Sequence, residues 1–95
     1  MKKELSELTN EDAYHIARIA LFIDKDEGAS LIKVEDMETS IPRKRVVVYN
    51  PQVDEQETIM IDGTFDVWEE ERIAGPIPIS NQVEVFKYLQ EKGYI

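Results

Sequence analysis

The first long apolar run of the chain, Ala13–Ile23, has the spacing of a helix. Its apolar residues recur at helical intervals, and they cover so much of the circumference that the helix should be largely buried. Thr9 or Asn10 offers a side-chain oxygen to the first turn. We therefore predict a helix over about residues 10–24, preceded by residues 1–8, which are polar enough to fray.

The end of the chain predicts a second helix over about residues 81–92. Phe86 and Leu89 lie on one face of it at helical spacing. Gly93 follows as a residue that readily adopts the left-handed conformation with which many helices end. The chain should then fold back, so that Tyr94 approaches Leu89.

The middle of the chain changes to the β-branched and alternating patterns of strands. The strand candidates are Leu31–Val34, Arg45–Tyr49 and Thr58–Trp68, the last of which contains two strands. Gly75–Ile79 has proline at two positions, which cannot donate a backbone hydrogen bond. That segment is interpreted as either a covering segment or an edge strand.

The Asp62–Gly63 pair lies between apolar segments and predicts a β-hairpin. A two-residue loop would pair Ile59 with Asp66 and mix apolar and acidic side chains on one face. A three-residue loop, with Gly63 in the left-handed conformation, pairs Ile59 with Phe65 and gathers the apolar side chains. Because a buried face fixes the register of a strand, we prefer the three-residue loop.

Together these elements predict one small α+β domain that spans residues 1–95 in the order α-β-β-β-β-α. No internal repeat or flexible linker divides the chain. Short connections between the strands favour an antiparallel sheet, and the economical packing places both helices on one face of it.

The composition excludes several kinds of chemistry. The chain has no cysteine, which excludes disulfides, thiolate zinc sites and cysteine nucleophiles. Its longest apolar window falls short of the roughly 20 residues that cross a bilayer. We therefore expect a cytoplasmic protein that makes no membrane contact.

The net charge of −9 repels phosphate backbones, so direct binding of nucleic acid is not expected. Residues 51–79 carry eight acids and one base, so −7 of that charge lies in this segment. Residues 30–50 are slightly basic and contain the cluster Arg43–Arg45. We interpret this cluster as protection of an edge strand or as a partner contact.

Candidate catalytic and metal-binding residues are few. The acidic segment Asp24–Glu35 partly matches a calcium loop, but Gly28 supplies no side-chain ligand at its fifth position and Ala29 resists the sharp turn at its sixth. His15 is the only histidine and lies one helical turn after Glu11, which suits a surface ion pair better than a proton shuttle. We therefore predict no enzyme activity, no metal ion and no cofactor.

The best candidate site is a sheet face that carries Met60 and Trp68 beside acidic residues. Alternation places both side chains opposite Ile59, and an uncovered tryptophan suggests contact with another molecule. The alternative is that Gly75–Ile79 folds over Trp68 and buries it. The predicted contact residues are Met60, Asp66, Trp68, Glu69, Glu70, Arg43 and Arg45.

These observations predict a non-catalytic binding or regulatory domain. It would contact a protein partner, or a second copy in a homodimer, through the acidic sheet face. One alternative is an acidic DNA mimic that inhibits a basic nucleic-acid-binding protein. Another is a small-molecule or enzymatic pocket between the first helix and the sheet, near Tyr14 or His15.

Overall fold

The structure, a computed structural model, describes residues 2–37, 40–71 and 73–95, which form an α+β domain with one antiparallel sheet. The elements are a 3-10 helix (Leu5–Glu7), α1 (Asn10–Ala20), β1 (Ser30–Met37), β2 (Arg43–Asn50), β3 (Glu55–Asp62), β4 (Val67–Glu71), β5 (Gly75–Pro78) and α2 (Gln82–Lys92). The strands lie in chain order, β1-β2-β3-β4-β5, and each pairs antiparallel with the next. The predicted fold class is confirmed. Gly75–Ile79 was predicted to be either a covering segment or an edge strand, and the structure places the edge strand β5 there. The sheet therefore has five strands.

One hydrophobic cluster joins the helices to the sheet. Ile16 and Ala17 of α1 belong to it together with Val85 and Leu89 of α2. The strands contribute alternate side chains from β2, β3 and β4, namely Val46, Val48, Ile59, Ile61 and Val67. We call the face of the sheet that carries these side chains the inner face, and the opposite side the outer face. That both helices cover the inner face stays a prediction.

Helix α1 begins as predicted and ends earlier. The Oγ1 of Thr9 accepts the N–H of Asp12 at 3.1 Å and caps the first turn. The helix ends at Ala20 because Phe22 adopts the left-handed conformation, with φ of 59°, and the N–H of Ile23 folds back to the carbonyl of Arg18 at 2.9 Å. The predicted end near residue 24 is therefore wrong, since a left-handed phenylalanine takes the position at which glycine is usual.

Helix α2 ends as predicted at Gly93, which has a φ of 87°. The N–H of Tyr94 donates to the carbonyl of Leu89 at 2.9 Å, the backbone bond of a Schellman ending. This turn carries Tyr94 into the core, where its ring packs 5.4 Å from that of Phe65.

The hairpin between β3 and β4 has a loop of three residues, 63–65. The N–H of Asp62 donates to the carbonyl of Asp66 at 3.0 Å, and the N–H of Phe65 donates to the carbonyl of Asp62 at 2.9 Å. The left-handed residue is Phe65, with φ of 64°, and not Gly63 as predicted.

This loop gives the hairpin a register that differs from the predicted one. Ile59 pairs with Glu69 and not with Phe65, and Ile61 pairs with Val67. The prediction is wrong because Phe65 leaves the ladder and points into the core, where it is 5% exposed. Burial of this large ring offsets the cost of its left-handed backbone.

The start of the chain is held to the core in the structure. Leu5 and Leu8, which lie in the segment expected to be free to fray, are buried in the hydrophobic cluster. The N–H of Lys3 also donates to the carbonyl of Gly93 at 2.9 Å. The prediction that residues 1–8 fray is therefore wrong. Leu5 and Leu8 are buried in a cluster that includes residues of α2, which is distant in the sequence.

Candidate functional site

Strand pairing places Met60 and Trp68 together on the outer face. Met60 pairs directly with Trp68 on one side and with Arg45 on the other. Paired residues of an antiparallel sheet point to the same face, so Val47, two positions after Arg45, lies there as well. The face predicted for the two side chains is therefore the face on which the structure places them.

A cavity of about 100 Å³ opens on this face, lined by Arg43, Met60, Trp68 and Pro76. Met60 is only 5% exposed, and Trp68 is half-buried. Trp68 pairs with Pro78, so β5 runs beside the indole within the sheet and does not fold over it. Three of the seven predicted contact residues meet in this cavity, which we call the tryptophan cavity.

Asp62 holds Trp68 in place. Its Oδ2 accepts the indole Nε1–H of Trp68 at 3.3 Å, and its Oδ1 accepts the N–H and hydroxyl of Thr64 at 2.9 and 2.6 Å and the N–H of Asp66 at 3.1 Å. Burial opposes ionisation of Asp62, but the hydrogen bonds from Thr64, Trp68 and Asp66 outweigh it and lower the pKa of Asp62. A charged carboxylate thus fixes both the hairpin turn and the indole.

Arg45 lies between two carboxylates on the same face. Its Nε and one terminal nitrogen contact Oε2 of Glu70 at 2.9 and 2.7 Å, and its other terminal nitrogen lies 3.7 Å from Glu35. Two N–H groups of the guanidinium share one carboxylate oxygen of Glu70, and this restricts the orientation of the guanidinium. Arg45 and Glu70, both predicted contact residues, are therefore paired with each other.

The cluster Arg43–Arg45 does not protect an edge strand, because β2 lies inside the sheet between β1 and β3. The interpretation as edge protection is therefore wrong, and the alternative, a partner contact, stays a prediction. Alternation also divides the cluster between the two faces, since the Nζ of Lys44 contacts Asp36 at 3.0 Å and Lys44 pairs with the inner-face residue Ile61.

A second cavity, of about 620 Å³, lies where the start of β3 faces the end of β4. We call it the acidic cleft; its lining residues are Arg45, Glu55, Gln56, Glu57, Thr58, Glu69, Glu70 and Glu71. Burial raises the pKa of Glu69, and the nearby charges of Glu57 and Glu71 raise it further. The cleft therefore concentrates negative charge, since its five glutamates face one arginine, Arg45, which pairs with Glu70.

Glu69 and Asp66 differ from their predicted positions. Glu69 pairs with Ile59 and Ile77 and so belongs to the inner side, because neighbouring residues of a strand point to opposite faces. It still reaches the acidic cleft beside Glu70. Asp66 lies exposed in the hairpin connection before β4, where its carboxylate accepts the hydroxyl of Thr64 at 3.3 Å, and it lines neither cavity described above.

The tryptophan cavity and the acidic cleft adjoin. Met60 of the cavity pairs with Arg45 of the cleft, and Pro76 of the cavity pairs with Glu70 of the cleft. The tryptophan cavity on the outer face thus adjoins a strongly negative cleft between β3 and β4. Glu70 of that cleft lies on the outer face, whereas Glu57 and Glu69 pair with inner-face residues.

The other titratable cluster joins the two helices. Asp12 accepts the hydroxyls of Tyr88 and Tyr94 at 2.6 and 2.7 Å. Burial opposes ionisation of Asp12, but these two hydrogen bonds and one with the side chain of Thr9 lower the pKa of Asp12. Burial and the bond to Asp12 raise the pKa of Tyr88. This carboxylate is occupied by internal contacts that tie the start of α1 to the end of α2.

His15 and Tyr14 lie apart from the outer face. His15 lines a groove of about 390 Å³ between α1 and α2, with Glu11 4.0 Å away and Arg18 3.5 Å away. Burial, together with the charge of Arg18, lowers the pKa of His15. The hydroxyl of Tyr14 donates to the carbonyl of Ala29 at 3.1 Å. Tyr14 lines a separate depression of about 270 Å³ between α1 and β1, where the small-molecule alternative expected a pocket, and His15 does not line it.

Comparison with models of protein families, with curated proteins and with solved structures finds no match to this chain. Within the described ranges, the side chains form no group of three or more that could hold a metal ion. The helices of the same ranges are too short or too polar to cross a membrane.

Sequence reasoning missed three kinds of residue at this site. Asp62 was read only as part of a turn, although an aspartate six residues before a tryptophan can reach its indole across a hairpin. Pro76 lines the tryptophan cavity because β5 joins the sheet there. Glu55 and Glu57 enter the acidic cleft only through the pairing of β3 with β4, which the predicted register had misplaced.

Proposed function

We propose that this protein is a non-catalytic binding domain that contacts a protein partner through the outer face of its sheet and the acidic cleft beside it. The observation that carries the proposal is the tryptophan cavity directly beside the acidic cleft. Aromatic and methionine side chains set in a small depression are typical anchoring points of protein interfaces.

The two cavities define the chemistry of the partner segment. A cavity of about 100 Å³ lined by Met60, Trp68 and Pro76 suits one apolar side chain. Arg43 lines the same cavity and adds a positive charge at its rim. The glutamates of the adjoining cleft suit lysine or arginine side chains.

The protein would act by binding and not by chemistry. The two clusters that could suggest a reaction, Asp12 with its tyrosines and His15 with Arg18, are engaged in contacts within or between the helices. The partner segment would therefore combine an apolar anchor with neighbouring basic residues.

Selection from a random peptide library on the immobilised protein tests this proposal. Enriched peptides should carry an apolar residue next to lysine or arginine, should bind less tightly as salt increases, and should change the fluorescence of Trp68 on binding. Replacing Glu55 and Glu71 by glutamine should weaken binding, whereas Glu11→Gln with Glu91→Gln, an equal charge change on the helices, should not. Peptides without basic residues, or equal binding by both double variants, would refute the proposal.

The same selection separates the second candidate, an acidic DNA mimic. The five glutamates gathered in one cleft favour it. A mimic of phosphate charge needs no apolar anchor, so it would enrich basic peptides that lack an apolar residue and leave the fluorescence of Trp68 unchanged.

A further inference from the structure

The two edges of the sheet differ in their ability to accept another strand. β5 forms one edge, and its four residues include Pro76 and Pro78, which have no N–H to donate. β1 forms the other edge and extends over eight residues, none of which is proline. A further strand can therefore pair most readily beside β1.

The charges on β1 are arranged around Val34. The pairing of β1 with β2 shifts between Leu31 and Lys33 and is regular from Lys33 to Met37. Lys33 and Glu35 lie on either side of Val34, both on the outer face, and their side chains are about half exposed and 3.0 Å apart. The regular part of this edge thus carries one positive and one negative group at matching distances from Val34.

We propose that two copies of this chain pair antiparallel through β1, about a twofold axis at Val34. Lys33 of each copy then lies opposite Glu35 of the other, which gives two cross-strand pairs of opposite charge. A twofold axis at Lys33, Glu35 or Asp36 would instead place that charged residue opposite its own copy. Charge complementarity therefore selects one register.

The features of β1 that hinder pairing with unrelated strands are compatible with pairing to a second copy of β1. A bulge and charged side chains on an edge strand hinder pairing with an unrelated strand. The same charges are complementary to a second copy in the proposed register, so they would favour self-pairing over other strands. The two sheets would join into one, with both outer faces on the same side. The inference does not depend on the proposed function, whose test measures peptide binding and not molecular mass.

Light scattering coupled to size-exclusion chromatography tests the pairing. The wild-type chain should approach twice its mass of 11.0 kDa as the concentration rises. Lys33→Glu and Glu35→Lys each place like charges opposite one another in both pairs, so each should weaken the dimer by roughly tenfold or more. Lys87→Glu, an equal charge change on α2, should leave the dimer unchanged.

Mixing the two single variants provides the decisive measurement. The Lys33→Glu copy is negative at both positions and the Glu35→Lys copy is positive at both, so the mixture should form a heterodimer although each variant alone is monomeric. The double variant, with the charges exchanged, should dimerise by itself. Circular dichroism of each variant serves as the control that the variant is folded. A wild-type mass that stays at 11.0 kDa, single variants that dimerise like the wild type, or a mixture that stays monomeric would each overturn the proposal.

Discussion

Removal of the Asp62 carboxylate should loosen the hairpin turn and free the indole of Trp68. Asp62→Ala deletes all four acceptor contacts of this side chain. Asp62→Asn retains one oxygen for the three contacts with Thr64 and Asp66 but places an amide N–H group opposite the indole N–H. The asparagine variant therefore separates the tether of Trp68 from the support of the turn.

The expected magnitude follows from the number and exposure of these contacts. A net hydrogen bond contributes about 0.5–1.5 kcal/mol, and a partly exposed turn belongs at the lower end of that range. We expect Asp62→Ala to lower the free energy of unfolding by about 2 kcal/mol and Asp62→Asn by about 1 kcal/mol. For a domain of this size, 2 kcal/mol corresponds to a fall of roughly 10 °C in the unfolding midpoint.

Urea unfolding measures both effects, because Trp68 is the only tryptophan and reports on its own tether. Asp66→Asn is the matched control, since the carboxylate of Asp66 has one contact, at 3.3 Å, and its loss should cost less than about 0.5 kcal/mol. The pKa of Asp62 is lowered in the folded protein. The stability that its charged carboxylate contributes is therefore fully present above the ordinary pKa of 3.8 and is lost as the pH falls through the lowered pKa of the folded state. The reasoning fails if Asp62→Ala is no less stable than Asp66→Asn, or if acid leaves the difference between Asp62→Asn and the wild type unchanged.

Two further substitutions test the backbone and the acidic cleft. Phe22→Gly should raise the free energy of unfolding by about 0.5–1 kcal/mol. The reason is that Phe22 is left-handed and 63% exposed, so its backbone has a steric cost with little burial in return. Phe22→Ala keeps the strained Cβ, and an alanine variant more stable than the glycine variant would contradict this account. Glu69→Gln should stabilise the protein at pH 7 by about 0.5 kcal/mol, because burial and neighbouring charges raise the pKa of Glu69 and the charged form is therefore costly in the folded state. Since the cost arises only above the ordinary pKa of 4.5, urea unfolding at pH 4 should show little gain, and equal gains at both pH values would count against it.

The sequence predicted correctly that Met60 and Trp68 share one face of the sheet, but it did not predict which acidic side chains lie beside them. Alternation placed Met60 and Trp68 together because adjacent side chains of a strand always point to opposite faces. The same rule assigns Glu69 to the inner side, but the run of three glutamates was treated as one charged unit. A run of charged residues shows no alternation of apolar and polar positions, so its sequence does not indicate which side chain points to which face.

The errors at turns have a different origin. Glycine is the usual left-handed residue, yet Phe22 and Phe65 take that conformation at the end of α1 and in the hairpin loop. Phe65 does so because its ring is buried beside Tyr94, a contact between distant parts of the chain. Local sequence cannot show such a contact, so the hairpin register was misplaced by a tertiary preference that outweighs backbone propensity. Phe22 differs, because its side chain is 63% exposed, and the end of α1 is marked instead by the backbone bond from Ile23 to the carbonyl of Arg18.

The two prolines of β5 also set a limit on assembly. A sheet open at both edges can add copies without end, as fibrils do. Here two of the four residues of β5 lack an N–H, so growth by strand pairing is favoured on the β1 side. Two copies joined there would have only proline-bearing edges facing outward, and the assembly would close after a single addition. A pair of chains would therefore be the favoured end point of association through strand edges.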